Sequence, residues 1–451
     1  MSAIDALEYR DAGAALRRLA TPNALALMTD QLLGIVDTIA IGALGTAALA
    51  GITGAVGVFM VFGIGLFAFS SGIRIVGAQA IGAGQSERFG AIVRAATVVP
   101  LIIAAVTALA SLAGARPLLH AILPAGAPLD ASAHYLMLRC ACLLPMVCSG
   151  MLAVAFATAG DAKPTLRLLL VINAVHVPLV FVLALGALTN HPFGMTGAGV
   201  SSLIAEMVGL AYIVREARLR PELGIFSSRS IDRRLVRLTA SVSWPEFVFL
   251  VLQMAPDPVI VAMLAPSGTQ PVAAFRALSL VSDITWSLPG ALGEASEIVL
   301  GQRIGARDYD GAKVFQRSAT RIAVLLCLGV GALVAVLAWP LAAICTLSPA
   351  LATLAAAPLA VHVGVTLPLK GYAMTVLAPI RGAGDTRFVM VMGIVTTAVA
   401  LAGIVVGVRV LHLGLWSVPF GWIAGWLARS VVTTARLNSG DWQRRRLALV
   451  Q

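Results

Sequence analysis

The segment Gly77-Ala-Gln-Ala-Ile-Gly-Ala83 returns as Leu300-Gly-Gln-Arg-Ile-Gly-Ala306, with Gln79, Ile81 and Gly82 matched by Gln302, Ile304 and Gly305 at an offset of 223. Gly160-Asp161 returns as Gly384-Asp385 at an offset of 224, each pair just after an apolar tract. Arg18-Leu19 returns as Arg237-Leu238 at 219. Three pairs in one order at nearly one spacing mark a duplication, and the content of each copy decides the fold.

Each copy is apolar almost throughout. Hydrophobic residues make up 59% of the 451-residue chain and charged ones 12%, against about 45–50% and about 25% in soluble domains. A soluble fold is excluded. Tracts able to cross about 30 Å of hydrocarbon as helices are expected at 20–44, 48–77, 91–113, 134–159, 165–188, 196–217, 237–264, 272–300, 318–344, 352–380, 387–410 and 414–436. This predicts an all-α membrane protein with twelve transmembrane helices in two pseudo-symmetric six-helix lobes. The N-lobe covers 20–217 and the C-lobe 237–436; cytoplasmic segments cover 1–19, the linker 218–236 and the tail 437–451. Six helices per copy set both copies in the same orientation, a parallel repeat about an axis along the membrane normal.

A net charge of +11 would suit nucleic acid if it were clustered on a soluble face. Instead the basic residues sit in short connectors, and one set of connectors plus both tails holds nearly all of them. Arg215, Arg218, Arg220, Arg233 and Arg234 belong to that set, and Arg429 and Arg436 are counted with the C-terminal tail. The other set holds only Arg116 and Arg409. By the positive-inside rule both termini are cytoplasmic, which requires an even number of spans. Residues 1–19 lack the apolar core of a cleaved signal. Arg is far commoner than Lys and Ala is abundant, a composition that suits a GC-rich bacterium, so the expected location is a bacterial inner membrane. The five cysteines lie in or beside apolar tracts without metal-site spacing and read as small buried hydrophobes.

Twin lobes can enclose a crevice near the bilayer midplane and open it alternately to either side, the build of a secondary transporter. Its expected partners are a small organic substrate and membrane lipid, with no nucleic acid, no cofactor and no resident metal, and with one copy sufficient. No zinc-type His pair, nucleophile elbow or phosphate loop is present, so no enzyme is expected.

An ionisable side chain at the centre of a membrane helix costs about 2.5–3.5 kcal/mol, so each needs a reason. Eight of the 21 acids fall inside expected helices: Asp30, Asp37, Glu206, Glu246, Asp257, Asp283, Glu294 and Glu297. Asp30 and Asp37 are seven apart on one face of the first helix. In the eighth helix Arg276, Asp283, Glu294 and Glu297 fall within about 60° of one stripe, which should face a cavity or another helix. That stripe is either a neutralised packing network or a contact surface for substrate and protons. Lys370 in the tenth helix is a counter-ion for one of these acids, and Asp257 is a further candidate. Asp257 follows Asp37 by 220 residues, close to the repeat offset. Asn173 and His176 share a face of the fifth helix, where His176 reads first as a packing residue and second as a proton carrier. Arg74 and Arg139 should snorkel or pair with acids.

At its repeat motifs the chain resembles the multidrug and toxic compound extrusion (MATE) family. The matching features are Val36-Asp-Thr38 followed by Gly42-Ala-Leu-Gly45 and Ala47-Ala-Leu-Ala50, the two Gln-x-x-Gly-Ala segments, Gly160-Asp161, Arg381-Gly-Ala-Gly-Asp-Thr386 and Gly414-Leu-Trp416. They run through the whole chain in family order. The resemblance implies antiport, with H⁺ or Na⁺ entering as an organic compound leaves.

Residue by residue, Asp37 matches the first-helix acid that the family uses for cation binding, and Asn173 a fifth-helix Asn of the branch with an N-lobe cation site. In that pattern an acid four residues later is replaced here by Val177, and Ser202 stands where a Thr is frequent. The NorM-like branch has a Glu eight residues after the seventh-helix Pro, where this chain has Gln253 after Pro245. It also has an Asp where this chain has Lys370. The resemblance therefore favours the DinF-like branch, coupling chiefly through Asp37, with H⁺ over Na⁺. The alternative is a lipid-linked precursor flippase of the same superfamily. Flippases usually carry a more basic cavity, whereas the intramembrane balance here is eight acids against Arg74, Arg139, Arg276 and Lys370.

Overall fold

The protein is described from a computed structural model covering residues 3–123, 126–187, 192–228 and 230–444. The side chain of Asp30, one of the candidate cavity acids, lies outside the described residues. Twelve long helices follow one another: α1 (Ala3–Gly42), α2 (Ala47–Gly82), α3 (Phe89–Ile122), α4 (Leu129–Thr158), α5 (Lys163–Leu185), α6 (Gly194–Arg218), α7 (Arg233–Ser267), α8 (Thr269–Gly305), α9 (Tyr309–Val336), α10 (Pro349–Gly382), α11 (Thr386–Arg409) and α12 (Ser417–Asn438). The described residues contain no strand. Each sequence half supplies six long helices, as in an all-α, twelve-helix membrane protein.

Nine of the described helices are long and apolar enough to cross a membrane by composition alone; α1, α8 and α12 are the others. The shortfall is chemical. α8 carries Arg276, Asp283, Glu294, Glu297 and Arg303, and α12 carries Arg429 and Arg436. The most polar helices thus hold many of the charges considered for the site. α1 also begins earlier than hydropathy alone predicts, running without interruption from Ala3 into the first apolar tract.

Local irregularities have identifiable causes. α7 is broken between Leu252 and Pro256, because prolines at 256 and 258 remove amide donors and clash with the preceding turn. Gln253 sits in that break, and its Oε1 accepts a hydrogen bond from Thr397 Oγ1 at 2.9 Å. α2 widens into a π-helical turn at Ile73–Gly77, where Arg74 is buried and donates through Nη1 to Ser70 Oγ at 2.9 Å. Wide turns of this kind concentrate at functional positions.

By packing, the chain divides into two compact units, one of residues 25–77 and 85–247 and the other of residues 1–24, 78–84 and 248–451. In the first, α4 packs against α2, α3, α5 and α6; in the second, α10 packs against α8, α9 and α12. Small residues let backbones approach closely, as membrane helices require. On α12, Gly421 and Gly425 lie against the Ala400 and Thr396 carbonyls of α11, where a Cβ would come within 2.6 Å and 2.9 Å of those oxygens.

Within the second unit the two repeat motifs touch each other reciprocally. A Cβ on Gly82 would stand 1.8 Å from the Gln302 carbonyl oxygen, and one on Gly305 would stand 2.1 Å from that of Gln79. Gln79 also donates through Nε2 to the Gly382 carbonyl at 2.6 Å. The residues repeated in the sequence are therefore a contact between helix ends in which no side chain fits.

Candidate functional site

In the first unit, Asp37 of α1 meets His176 of α5, with Nε2 and Oδ1 2.6 Å apart. The histidine is 1% exposed and the aspartate side chain 13% exposed. On the other side of the imidazole, Nδ1 lies 3.5 Å from Ser201 Oγ of α6. That hydroxyl donates to its own helix at the Ala198 carbonyl, 2.7 Å away, and so offers its lone pairs to the ring. Tyr135 and Arg139 of α4 stand within electrostatic reach of Asp37, and Glu206 of α6 within reach of Arg139. The Arg139 guanidinium lies 4.2 Å from the centre of the Phe59 ring. The aromatic face offsets part of the cost of holding that cation away from water.

Four helices thus converge on one carboxylate–imidazole pair flanked by a cation and a phenol. Asn173 shares the helix face of His176, but its amide donates to the Leu169 carbonyl one turn back at 2.8 Å. Ser202 donates to the Ala198 carbonyl at 3.1 Å. Of the residues singled out in these helices, His176 is the one bonded to Asp37.

The second unit holds the other group. Lys370 of α10 is buried and donates through Nζ to Ser282 Oγ of α8 at 3.0 Å. Its ammonium lies 5.9 Å from the ring centres of both Trp286 and Trp426. Asp283 is within electrostatic reach of Lys370, Arg276 and Asp257. Asp257, at the start of the second segment of α7, bonds the Ser279 side chain.

The expected α8 stripe does not form one cluster. Arg276 and Asp283 are exposed, Glu294 is half-buried, and Glu297 is 1% exposed. Positions 276 and 297 lie about 30 Å apart along the helix axis. Glu294 Oε2 accepts a hydrogen bond from Asn23 Nδ2 of α1 at 2.6 Å. A shared angular position brings side chains to one side of a helix; it does not bring them to one depth.

Arg429, counted among the cytoplasmic bases in the sequence, is buried in the structure. α12 continues to Asn438, so Arg429 lies inside the helix and is 5% exposed. Its guanidinium rests 4.5 Å from the Trp426 ring centre and 5.5 Å from that of Phe249. Nε donates to Thr396 Oγ1 at 3.2 Å, and Nη2 lies 3.5 Å from the Gly393 carbonyl oxygen. The available sequence signal was the spacing Gly421, Gly425, Arg429, which places all three on one helix face. No group of metal-binding residues occurs among the described residues.

Comparison with known proteins assigns the arrangement to a family. The MatE family matches residues 22–182 and 245–429. The chain is similar to the probable multidrug resistance protein NorM of Synechocystis sp., 25% identical over 395 residues that cover 83% of each chain. Among solved structures it superimposes on the outward-facing conformation of a multidrug resistance MATE family transporter of the MOP superfamily. The TM-score is 0.85 at 19% identity, covering 100% of this chain and 99% of the other. A MOP superfamily transporter from Pyrococcus furiosus, described as having a binding pocket of reverse polarity, gives 0.84 at 18% identity over 94% and 96%. These two structural likenesses establish the fold. Because the family match covers most of its length in both halves, the chain belongs to the MatE family of membrane transporters and is not an enzyme.

Proposed function

We propose that the protein is a cation-coupled antiporter that exports small organic compounds by alternating access of its lobes, with H⁺ as the coupling ion and Asp37 as its principal carrier. The observation that carries this reading is the 2.6 Å contact between Asp37 and His176. A carboxylate and an imidazole at that distance share one proton along a short, charge-assisted bond. Together they hold a second proton when one arrives. Three-fold or greater oxygen coordination, which a sodium ion needs around it, is not what a buried imidazole offers to Asp37.

A proton moving inward through this pair gains about 2.3 kcal/mol per 100 mV of membrane potential. Its arrival neutralises the pair, and its departure restores the charge. Each event changes which arrangement of the surrounding helices is favoured, and a ligand or ion can shift such an equilibrium only by its differential affinity for the two states. The substrates we assign are small organic drugs, as the names of the NorM relatives suggest for those proteins. The absence of acids at 253 and 370 supports the DinF-like branch. The distribution of basic residues supports both termini in the cytoplasm, and we assign the protein to the bacterial inner membrane as a monomer.

The test is efflux of ethidium and norfloxacin from cells or everted vesicles, with pH and sodium gradients imposed separately, for wild type, Asp37→Asn and His176→Gln. Wild-type transport should follow the pH gradient. Asp37→Asn should abolish it, and His176→Gln should lower it at least tenfold while flattening its pH dependence. Loss of transport on collapsing the sodium gradient alone would overturn the proton assignment. Full activity in Asp37→Asn would overturn the site, and translocation of a lipid-linked precursor without dye efflux would favour the flippase.

A further inference from the structure

We infer that the coupling proton is held on Nδ1 of His176, with the hydroxyl of Ser201 as its acceptor; the inference rests on the transport reading above and assigns its proton to an atom. The two ring nitrogens face different partners. Nε2 lies 2.6 Å from Asp37 Oδ1 of α1, and Nδ1 lies 3.5 Å from Ser201 Oγ of α6. His176 is 1% exposed and Ser201 0% exposed, which keeps bulk water from both contacts.

A serine hydroxyl has one proton to give. Ser201 gives it to the Ala198 carbonyl at 2.7 Å, which leaves only lone pairs for the ring. When the pair holds one proton, on Nε2 toward the carboxylate, Nδ1 also offers only a lone pair. Two acceptors then face each other, and 3.5 Å is long for anything closer. A second proton on Nδ1 turns this contact into a charge-assisted bond. Both ring nitrogens are then donors, and each has an oxygen already in place.

The charges around the pair favour the same atom. The other place for the second proton is Asp37 itself, giving a neutral acid against a neutral ring. Arg139 of α4 stands within electrostatic reach of Asp37, and Glu206 of α6 within reach of Arg139. Tyr135 of α4 is also within reach of Asp37. On α5 the nearest charged residue is Arg167, nine positions and about 13 Å along the axis from His176. A cation beside Asp37 is matched by a carboxylate and not by a neutral acid. Asp37 thus supplies the charge, and the imidazole supplies the atom. Ser201 is a positioning residue, because without its oxygen the loaded ring keeps a buried N–H with no acceptor. Loading links α1, α5 and α6 through one ring, and unloading releases α6.

The experiment joins a spectroscopic titration to transport. Magnetic resonance of purified full-length protein, isotope-labelled on its histidine ring nitrogens, should show a doubly protonated ring on acidification that is missing from His176→Gln. Infrared difference spectra over the same range should show no carboxylic-acid band that disappears in Asp37→Asn. Such a band, or a His176 ring that stays singly protonated, would overturn the inference. This titration uses no variant of Ser201, so it decides even where Ser201→Ala does not fold. In ethidium efflux, Ser201→Ala should need about tenfold more protons on the supplying side for half-maximal rate, a shift of about one pH unit toward acid. Ser201→Thr, which keeps the hydroxyl, should restore the wild-type profile. A lower rate at an unchanged pH midpoint would show that Ser201 only packs, and would overturn its role. If wild-type efflux ignored the pH gradient, the transport reading would fail, and the titration alone would decide where the pair binds its proton.

Discussion

Asp161 and Arg220 form an ion pair at 2.8 Å, and the second half of the chain repeats it with Asp385 and Arg436 at 2.7 Å. In both halves the acid follows the fourth helix and the arginine lies at or just beyond the end of the sixth. The preceding residues explain the repeated Gly-Asp. Gly160 has φ +96° and Gly384 φ +85°, a left-handed conformation that glycine adopts without a Cβ penalty. Each turn is closed by the aspartate amide, donating to the Phe156 carbonyl at 3.0 Å and the Ile380 carbonyl at 3.1 Å. The glycine reverses the chain, and the aspartate fastens the end of another helix.

This pair makes acid-side stability partly dependent on Asp161. Partial burial pushes its carboxyl up, but the Arg220 hydrogen bond, the Lys163 backbone amide and the charges of both bases outweigh burial and hold it below the usual carboxylate value. A group whose folded pKa is lowered contributes stability above its unfolded value, about 3.9, and loses it as pH falls through the folded value. Asp161→Asn should therefore cost ~1 kcal/mol at neutral pH and nothing once the acid is protonated. Thermal unfolding in detergent from pH 7 to pH 3 checks this. Parallel curves for the two proteins across that range would contradict it.

The twelve helices were legible because hydropathy over about 20 residues averages out local irregularity: the tract expected at 134–159 became Leu129–Thr158. The duplication was legible too, since residues that pack against their own repeat are held to one identity. The partners within the site were harder to see. Spacing located the face of α5 that carries Asn173 and His176, but only the three-dimensional arrangement shows that His176 meets Asp37. The burial of Arg429 was not legible, because a base near the end of an apolar tract resembles a cytoplasmic anchor. What holds it inside, Phe249 and Thr396, lies 180 and 33 positions away. The break in α7 was signalled by Pro256-Asp-Pro258, whose effect a window average conceals.

The reciprocal contact of the repeat motifs predicts a steep penalty for the smallest side chain. Gly82→Ala would set a methyl 1.8 Å from the Gln302 carbonyl oxygen, and Gly305→Ala one 2.1 Å from that of Gln79. Both obstacles are backbone, so the helix ends must part. Overpacking of this kind typically costs about 1–3 kcal/mol. Gly57→Ala is the control, because a Cβ there meets nothing within 4 Å. Removing that helical glycine should be neutral or stabilising by up to ~1 kcal/mol. Differential scanning fluorimetry of the three variants in detergent decides it, and a Gly82→Ala melting temperature equal to that of Gly57→Ala would show that the contact is not maintained in solution.

Lys370 supplies the last prediction, on ion selectivity in the second unit. Its ammonium is buried, bonded to Ser282 and close to Asp283, while Asp283 itself is exposed. Lys370→Met keeps most of the stem volume against the two indoles and removes the charge. An exposed carboxylate remains hydrated, so the variant avoids the 3–5 kcal/mol penalty, on the order of that for breaking a fully buried pair, and should melt within a few degrees of wild type. Transport should change more. With Lys370 gone, Asp283 keeps only Arg276 as a cation within its reach and Asp257 as a second acid, so the field there turns more negative, and cation–π attraction to the indoles that Lys370 approached adds to it. Ethidium export should then show a KM several-fold lower, while an anionic compound gains nothing. Measuring KM for ethidium and for a carboxylate-bearing compound in the same vesicles separates these effects, and identical values for every substrate class would remove Lys370 from the transport path.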